Sequence, residues 1–170
     1  PHACLMFKFK NRSYKDLPMR LADMGPLHRN EVRGSLTSLF RNRLFTQDDS
    51  HIFCTPSQIK SEMHGALDFL KSVYGKFGFQ FEVNLSTRPE QFIGEIEVWD
   101  KAEKELAEVL DDNILIWSEE KFGGAFYGPK IDIKIKDALG RSWQCSTIQC
   151  DFALPERFDL EYTGSDGQKH

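Results

Sequence analysis

Between His28 and Arg43 the chain reads HRNEVRGSLTSLFRNR, the stretch whose residue types are best suited to chemistry. Four arginines (Arg29, Arg33, Arg41, Arg43) face one glutamate (Glu31), a local charge of +3 in a chain whose net charge is −4. Guanidinium forks match the oxygens of phosphate and carboxylate groups, two hydrogen bonds at a time. Arg29 and Glu31 lie two residues apart, as do Arg41 and Arg43, so on strands the members of each pair leave the same face. Val32 to Leu39 contains Gly34, Ser35, Thr37 and Ser38, the composition of a mobile loop between two extended arms. Phe45 adds a ring able to stack on a planar base. A solvated basic hairpin has the same composition, so the residues alone leave both readings open.

The elements that must hold this arm are legible from periodicity. Thr55-Pro56-Ser57-Gln58 is a capping box with proline at the first helical position. It opens a predicted helix from Ser57 to Phe77, with Ile59, Met63, Ala66, Leu67, Leu70, Val73, Tyr74 and Phe77 on one face and Gly75 and Gly78 as its stop. Phe79, Phe81, Val83 and Leu85 then alternate with polar residues, as in a strand with one buried face. A second helix is predicted over Ile96 to Asp111, with Glu97–Lys101 and Asp100–Lys104 pairs on its wet side. Ile114 to Ser118, Lys130 to Lys136 and Arg141 to Phe152 read as strands, the last two joined by a hairpin turn at Asp137–Gly140. Upstream, Leu17 to Glu31 and Phe40 to Thr55 read as extended. Hairpins joined by long helices, without repeating βαβ units, predict an α+β fold: an antiparallel β-sheet with flanking helices.

Composition narrows the class. At 170 residues and 19.6 kDa, 40% apolar with 14 Phe and 3 Trp, the chain has the makings of one core, which excludes extended disorder and fibrous repeats. No apolar run reaches the ~20 residues of a membrane span, and no secretory signal is legible. A pI near 5.8 gives no global attraction to nucleic acid, so phosphate affinity must be local. Cys4, Cys54, Cys145 and Cys150 form no CxxC pair and are expected to be buried, reduced thiols of an intracellular protein. No HExxH helix occurs, which argues against a free-standing zinc hydrolase. The chain opens on Pro1 rather than Met and is expected to be a piece of a longer protein.

The motifs, taken in order, resemble a known family. His28-Arg29-Asn30-Glu31, Phe40-Arg41-Asn42-Arg43 and Phe45-Thr46-Gln47-Asp48-Asp49-Ser50-His51-Ile52-Phe53-Cys54 resemble motif 2 of class II aminoacyl-tRNA synthetases. Leu85-Ser86-Thr87-Arg88-Pro89-Glu90, Ala125-Phe126-Tyr127-Gly128-Pro129-Lys130-Ile131-Asp132 and Gln144-Cys145-Ser146-Thr147-Ile148-Gln149-Cys150-Asp151-Phe152 continue the likeness, so that it covers nearly the whole chain. The QDD-x-HIFC run is similar to the threonine-specific branch of that family, in its eukaryotic cytosolic form. The resemblance implies a partial class II catalytic core over 1–170, with motif 2 at 26–55, and a cytoplasmic location. It implies activation of threonine with ATP and Mg2+ to threonyl-adenylate, then transfer to tRNA(Thr), in a protein that is a homodimer when complete and has no membrane partner. Arg29 would hold the α-phosphate and the substrate carboxylate as the catalytic cation, Glu31 would accept from the adenine amino group, Phe45 would stack on adenine, and Arg41 would grip the γ-phosphate. Gln144 and Thr147 would line the ATP site. Gln47, Asp49, Tyr127, Lys130 and Gln149 would contact threonine, and His51 would be a Zn2+ ligand. In this family zinc binds the amino and hydroxyl groups of threonine, which rejects valine where an apolar pocket discriminates poorly.

The resemblance also implies what is missing. Motif 1, motif 3, the editing and anticodon-binding domains and two of three zinc ligands are expected outside this stretch. Pro1-His2-Ala3-Cys4 stands where the family has a Pro-Gly-His-like sequence, and Cys4 is not a substitute ligand. Since zinc sites need at least three protein donors, this stretch alone is expected to be inactive and to retain little or no zinc. Bland readings accompany each residue: His51 as a hydrogen-bonded core histidine, Tyr127 as a turn anchor, Gln144, Thr147 and Gln149 as ordinary hairpin polar groups, Asp132 as a surface partner of Lys134. Two other functions stay open: a catalytically silent synthetase-like binding or regulatory module, and a sibling class II synthetase for proline or serine. Intact Arg29, Glu31, Arg41, Gln47, Asp49 and His51 weigh against the first, and the Asp49–His51 pattern against the second.

Overall fold

The computed structural model describes residues 1–170. Helix α1 (His2–Lys8) leads into two short ribbons. Strands β1 (Met19–Asp23) and β4 (Asp49–Phe53) pair antiparallel, and β2 (Pro26–His28) and β3 (Leu44–Thr46) do the same inside them. Helix α2 (Ile59–Phe77) and strand β5 (Phe81–Ser86) follow, then α3 (Ile96–Asp112), β6 (Trp117–Glu120), β7 (Lys130–Lys136), β8 (Ser142–Gln149) and the short α4 (Ala153–Arg157). The main sheet has the order β6-β5-β7-β8. The fold is α+β, as expected, but the sheet is not wholly antiparallel: β6 runs parallel to β5 because α3 carries the chain over the sheet between them.

Helix α2 starts where its cap dictates. The Thr55 backbone N–H donates to Gln58 Oε1 at 2.9 Å, and Gln58 Nε2 reaches back to the Leu17 carbonyl at 3.2 Å. The first turn, Pro56–Gln58, is 3-10, so α geometry begins at Ile59 rather than Ser57. Gly78, at φ 68°, ends the helix in the left-handed conformation that favours glycine. Replacing Gln58 by alanine frees two backbone groups at once. It is expected to cost about 1 kcal/mol, a fall of roughly 2–4 °C in the unfolding midpoint of the protein carrying this chain.

One face of the main sheet and two helices make the core. Met63, Leu67 and Leu70 of α2 and Leu106, Val109 and Leu110 of α3 pack on Val83, Leu85, Ile131 and Ile133. Trp99, also buried on α3, ties its indole N–H to the Ile93 carbonyl at 2.9 Å. Several expectations fail at the margins. Phe77 and Phe79 do not enter the core; they stack on each other at 5.5 Å on the surface, and β5 starts only at Phe81. The strand expected at Ile114 starts at Trp117, since Ile114 takes a positive φ of 54° and Ile116 stands 97% exposed. On α3, Asp100 bonds Arg88 at 2.8 Å and Lys101 pairs Glu105 at 3.9 Å, in place of the two expected pairs. Helices α1 and α4 were not legible. No helix is long and apolar enough to cross a membrane.

Candidate active site

The arginine arm is built on β2 and β3. Leu27 faces Phe45 across the ribbon, and the Arg29 backbone N–H donates to the Arg43 carbonyl at 3.0 Å, extending the pairing one step past β2. This anchors Arg29 so that its guanidinium lies over the Phe45 ring, 5.0 Å from the centroid. Glu31 and Arg41 sit within 3.6 Å of each other, as their shared side of the arm requires. Arg43 does something the sequence did not announce: its Nε and Nη2 donate to the Glu31 carbonyl at 3.1 and 3.0 Å. It braces the arm rather than offering a free cation. The loop expected to be mobile contains a 3-10 turn at Arg33–Ser35 and a Thr37–Arg41 bridge, and its Phe40 stacks on Trp143 of β8 at 4.1 Å. The Trp143 indole in turn donates to Asp137 at 3.0 Å; with backbone N–H groups and Arg141 it holds that carboxyl well below the usual range.

The polar face of the main sheet supplies a second wall. Strict alternation puts Lys130, Asp132 and Lys134 of β7 on the face away from the helices, opposite Gln149, Thr147 and Gln144 of β8. The Tyr127 hydroxyl donates to Gln149 Oε1 at 3.0 Å, just before β7. Burial, and then the Asp151 carboxylate, raise the Tyr127 phenol, while the Gln149 bond and the Arg29 charge pull it down. The Phe40–Trp143 stack pins the arm's loop to β8 by direct contact. Asp132 is not the surface partner of Lys134 that its position suggested: it is buried, and Lys134 pairs with Glu120 at 2.8 Å.

A third group lies on the β1–β4 ribbon. Asp23 pairs with Asp49 and Leu21 with His51, on the ribbon's less exposed side. His51 Nδ1 is 3.7 Å from Asp49, and its ring meets His2 of α1 edge-on at 5.9 Å. His2 Nε2 lies 3.2 Å from Asp23, whose carboxyl is lowered first by the Gly25 N–H and then by His2. A hollow lined by His2, Met6, Arg20, Leu21, Asp23 and His51 opens here. Gln47 is exposed between β3 and β4. No three His, Cys, Asp or Glu side chains converge in a geometry that holds a metal ion.

The thiols divide. Cys4 is buried, and the Cys150 thiol is pushed up to about 12, chiefly by burial, with Cys54, Glu105 and Asp151 adding to it. Cys145 departs from the expectation of a core thiol and is exposed. Iodoacetamide at pH 8 is expected to modify Cys145 about an order of magnitude faster than Cys150, read by peptide mass mapping.

A basic arm with an aromatic floor, set against the polar face of a sheet whose other face is sealed by two helices, is the cationic, groove-like side of an α+β core. The chain belongs to the tRNA synthetase class II core domain family (G, H, P, S and T), whose match extends over residues 1–170. It is 59% identical over 167 residues to human threonine–tRNA ligase 1, cytoplasmic, covering 98% of this chain and 23% of that protein. It is 58% identical over 167 residues to Xenopus tropicalis threonine–tRNA ligase 2, cytoplasmic, covering 98% of this chain and 20% of that one. The chain thus spans less than a quarter of the length of these relatives. Among solved structures, the RNA binding domain of threonyl-tRNA synthetase from Cryptosporidium parvum Iowa II superimposes with a TM-score of 0.94 at 53% identity, over 98% of this chain and 42% of that one.

Proposed function

We propose that residues 1–170 are part of the aminoacylation core of a cytoplasmic threonine–tRNA ligase, with residues 26–55 as its nucleotide-gripping arm. The observation that carries this reading is the likeness to threonine-specific ligases across the arm and the β7–β8 face together. In this reading Arg29 neutralises the ATP α-phosphate and orients the threonine carboxylate against it. A carboxylate oxygen attacks the α-phosphorus, the bond to the bridging oxygen breaks, and pyrophosphate leaves with the electron pair. A ribose hydroxyl at the tRNA 3′ end then takes the acyl group, releasing AMP. No side chain acts as nucleophile.

Phe45 stacks on adenine, Glu31 accepts from its amino group, and Arg41, released from Glu31, takes the γ-phosphate. Gln144 and Thr147 complete the nucleotide side. Gln47, Tyr127, Lys130 and Gln149 address threonine, and Asp49 accepts its hydroxyl hydrogen. Magnesium accompanies ATP, with no residue of this chain assigned to it. Zinc, held in part by His51, supplies recognition of the threonine amino and hydroxyl groups when bound. The complete protein acts as a homodimer.

The test is ATP–pyrophosphate exchange by the full-length protein carrying this chain. Exchange stimulated by threonine is the expected result. Stimulation by proline or serine instead assigns the chain to a sibling enzyme, and no exchange with any of the three marks a silent module.

A further inference from the structure

The carboxylate of Asp132 is 2% exposed, yet no role in the reaction above calls on it. Burying an ionised carboxylate costs several kcal/mol unless every lone pair is used. Here all four are. Oδ1 accepts from Gln144 Nε2 at 2.7 Å and Thr147 Oγ1 at 3.0 Å; Oδ2 accepts from Ser86 Oγ at 2.8 Å and Lys130 Nζ at 2.6 Å. An ionised carboxylate is acceptor-only with about four sites, so this set saturates it. Gln144 Nε2 also lies 2.8 Å from Thr147 Oγ1, which closes the network on β8. The geometry follows from register: Asp132 stands directly opposite Thr147, with Lys130 two residues before it on the same face.

We infer that Asp132 is a positioning residue that aims Lys130, Gln144 and Thr147 from one buried anchor, so that the nucleotide and amino-acid sides of the site are set together. The inference rests on the function proposed above, since those three side chains line both sides. Gln149 makes the contrast: it is held by Tyr127 and not by Asp132. A carboxylate kept only for stability would be an expensive choice, because an apolar residue of similar size often serves a core as well or better. Positioning explains why the charge is there.

The test uses the full-length protein, with the exchange rate measured against ATP and against threonine and the unfolding midpoint recorded alongside. Asp132→Asn keeps the volume but has a single acceptor oxygen, so it cannot serve both the Lys130–Ser86 pair and the Gln144–Thr147 pair. It is expected to raise KM for ATP and for threonine together by about tenfold, the scale of one charge-assisted hydrogen bond. Lys130→Ala is expected to raise KM for threonine less in that variant than in the wild-type protein, because the two groups act as a unit, and equal increases in both backgrounds overturn the inference. Should Asp132→Asn fail to fold, Ser86→Ala decides: it removes one support of the anchor without touching substrate, and both KM values are expected to rise about threefold. Folded variants with both KM values unchanged, or with only one affected, overturn the inference. Wild-type protein that shows no threonine-dependent exchange overturns the proposed function instead, so the two failures are distinct.

Discussion

Arg29→Ala, in the full-length protein carrying this chain, is expected to lower threonine-dependent pyrophosphate exchange by about 10²–10³-fold, the usual loss for one preorganised donor to transition-state charge. The structure explains why the loss should be catalytic rather than structural. The Arg29 side chain is exposed, and its ring contact with Phe45 is of the kind worth about 0.5–1 kcal/mol at the surface. The backbone bond from Arg29 to Arg43 survives truncation of the side chain. The unfolding midpoint is therefore expected to move by no more than about 2–4 °C. Arg29→Lys keeps the charge without the planar fork and is expected to recover only part of the rate. A folded Arg29→Ala protein with near-normal exchange would remove the central cation from the mechanism.

Which parts of this molecule were legible depends on how each is encoded. Helices α2 and α3 and strands β5 and β7 carry repeating apolar faces, and a repeating face survives in sequence; β8, mostly polar, is announced instead by the hairpin turn at Asp137–Gly140. Helix α1 is seven residues long with no side-chain cap, so Ala3, Cys4 and Phe7 reveal their burial only once Phe7 meets Phe53 across the chain. Alternation states which side of a strand is wet but not which way its neighbour runs, and so the parallel β5–β6 pair was invisible. It also fails near strand ends, where Phe79 and Ile116 continue a pattern that the backbone has already left.

The site shows the same division. Residue types announced arginines, a carboxylate and a ring on one arm, and the fold set that arm against β8. What the types could not announce was allocation. Arg43 resembles Arg41 in sequence, yet it donates twice to a backbone carbonyl while Arg41 faces Glu31. Asp132 sits between two lysines of the same face, and only the packing of β5 and β8 decides that it turns inward to Lys130. Buried polar networks are pairwise solutions in space, and a one-dimensional pattern records their members without their pairings.

Gly128 is where sheet geometry and site geometry constrain a single atom. A Cβ built there would stand 1.6 Å from the Cys150 carbonyl oxygen and 2.8 Å from its carbon. Both are backbone atoms, so no side-chain rotation relieves the clash, and the entry of β7 must move away from the end of β8. Gly128→Ala is therefore expected to cost about 3 kcal/mol, the upper end of ordinary overpacking. For a domain of this size that lowers the unfolding midpoint by roughly 6–12 °C. The displaced segment holds the Pro129 carbonyl that accepts from Cys150 at 3.1 Å, the Tyr127–Gln149 bond and the Lys130 end of the buried network. Threonine-dependent exchange at a temperature where the variant stays folded is expected to fall with them, by about tenfold or more as two charge- or amide-bearing contacts are misaimed. Gly140→Ala is the matched comparison: its φ of 77° makes alanine strained, but no atom lies within 4 Å of the added carbon. That variant is expected to lose about 1 kcal/mol and to keep its exchange rate. Equal behaviour of the two glycine variants would show that the close approach at Gly128 places no constraint on the site.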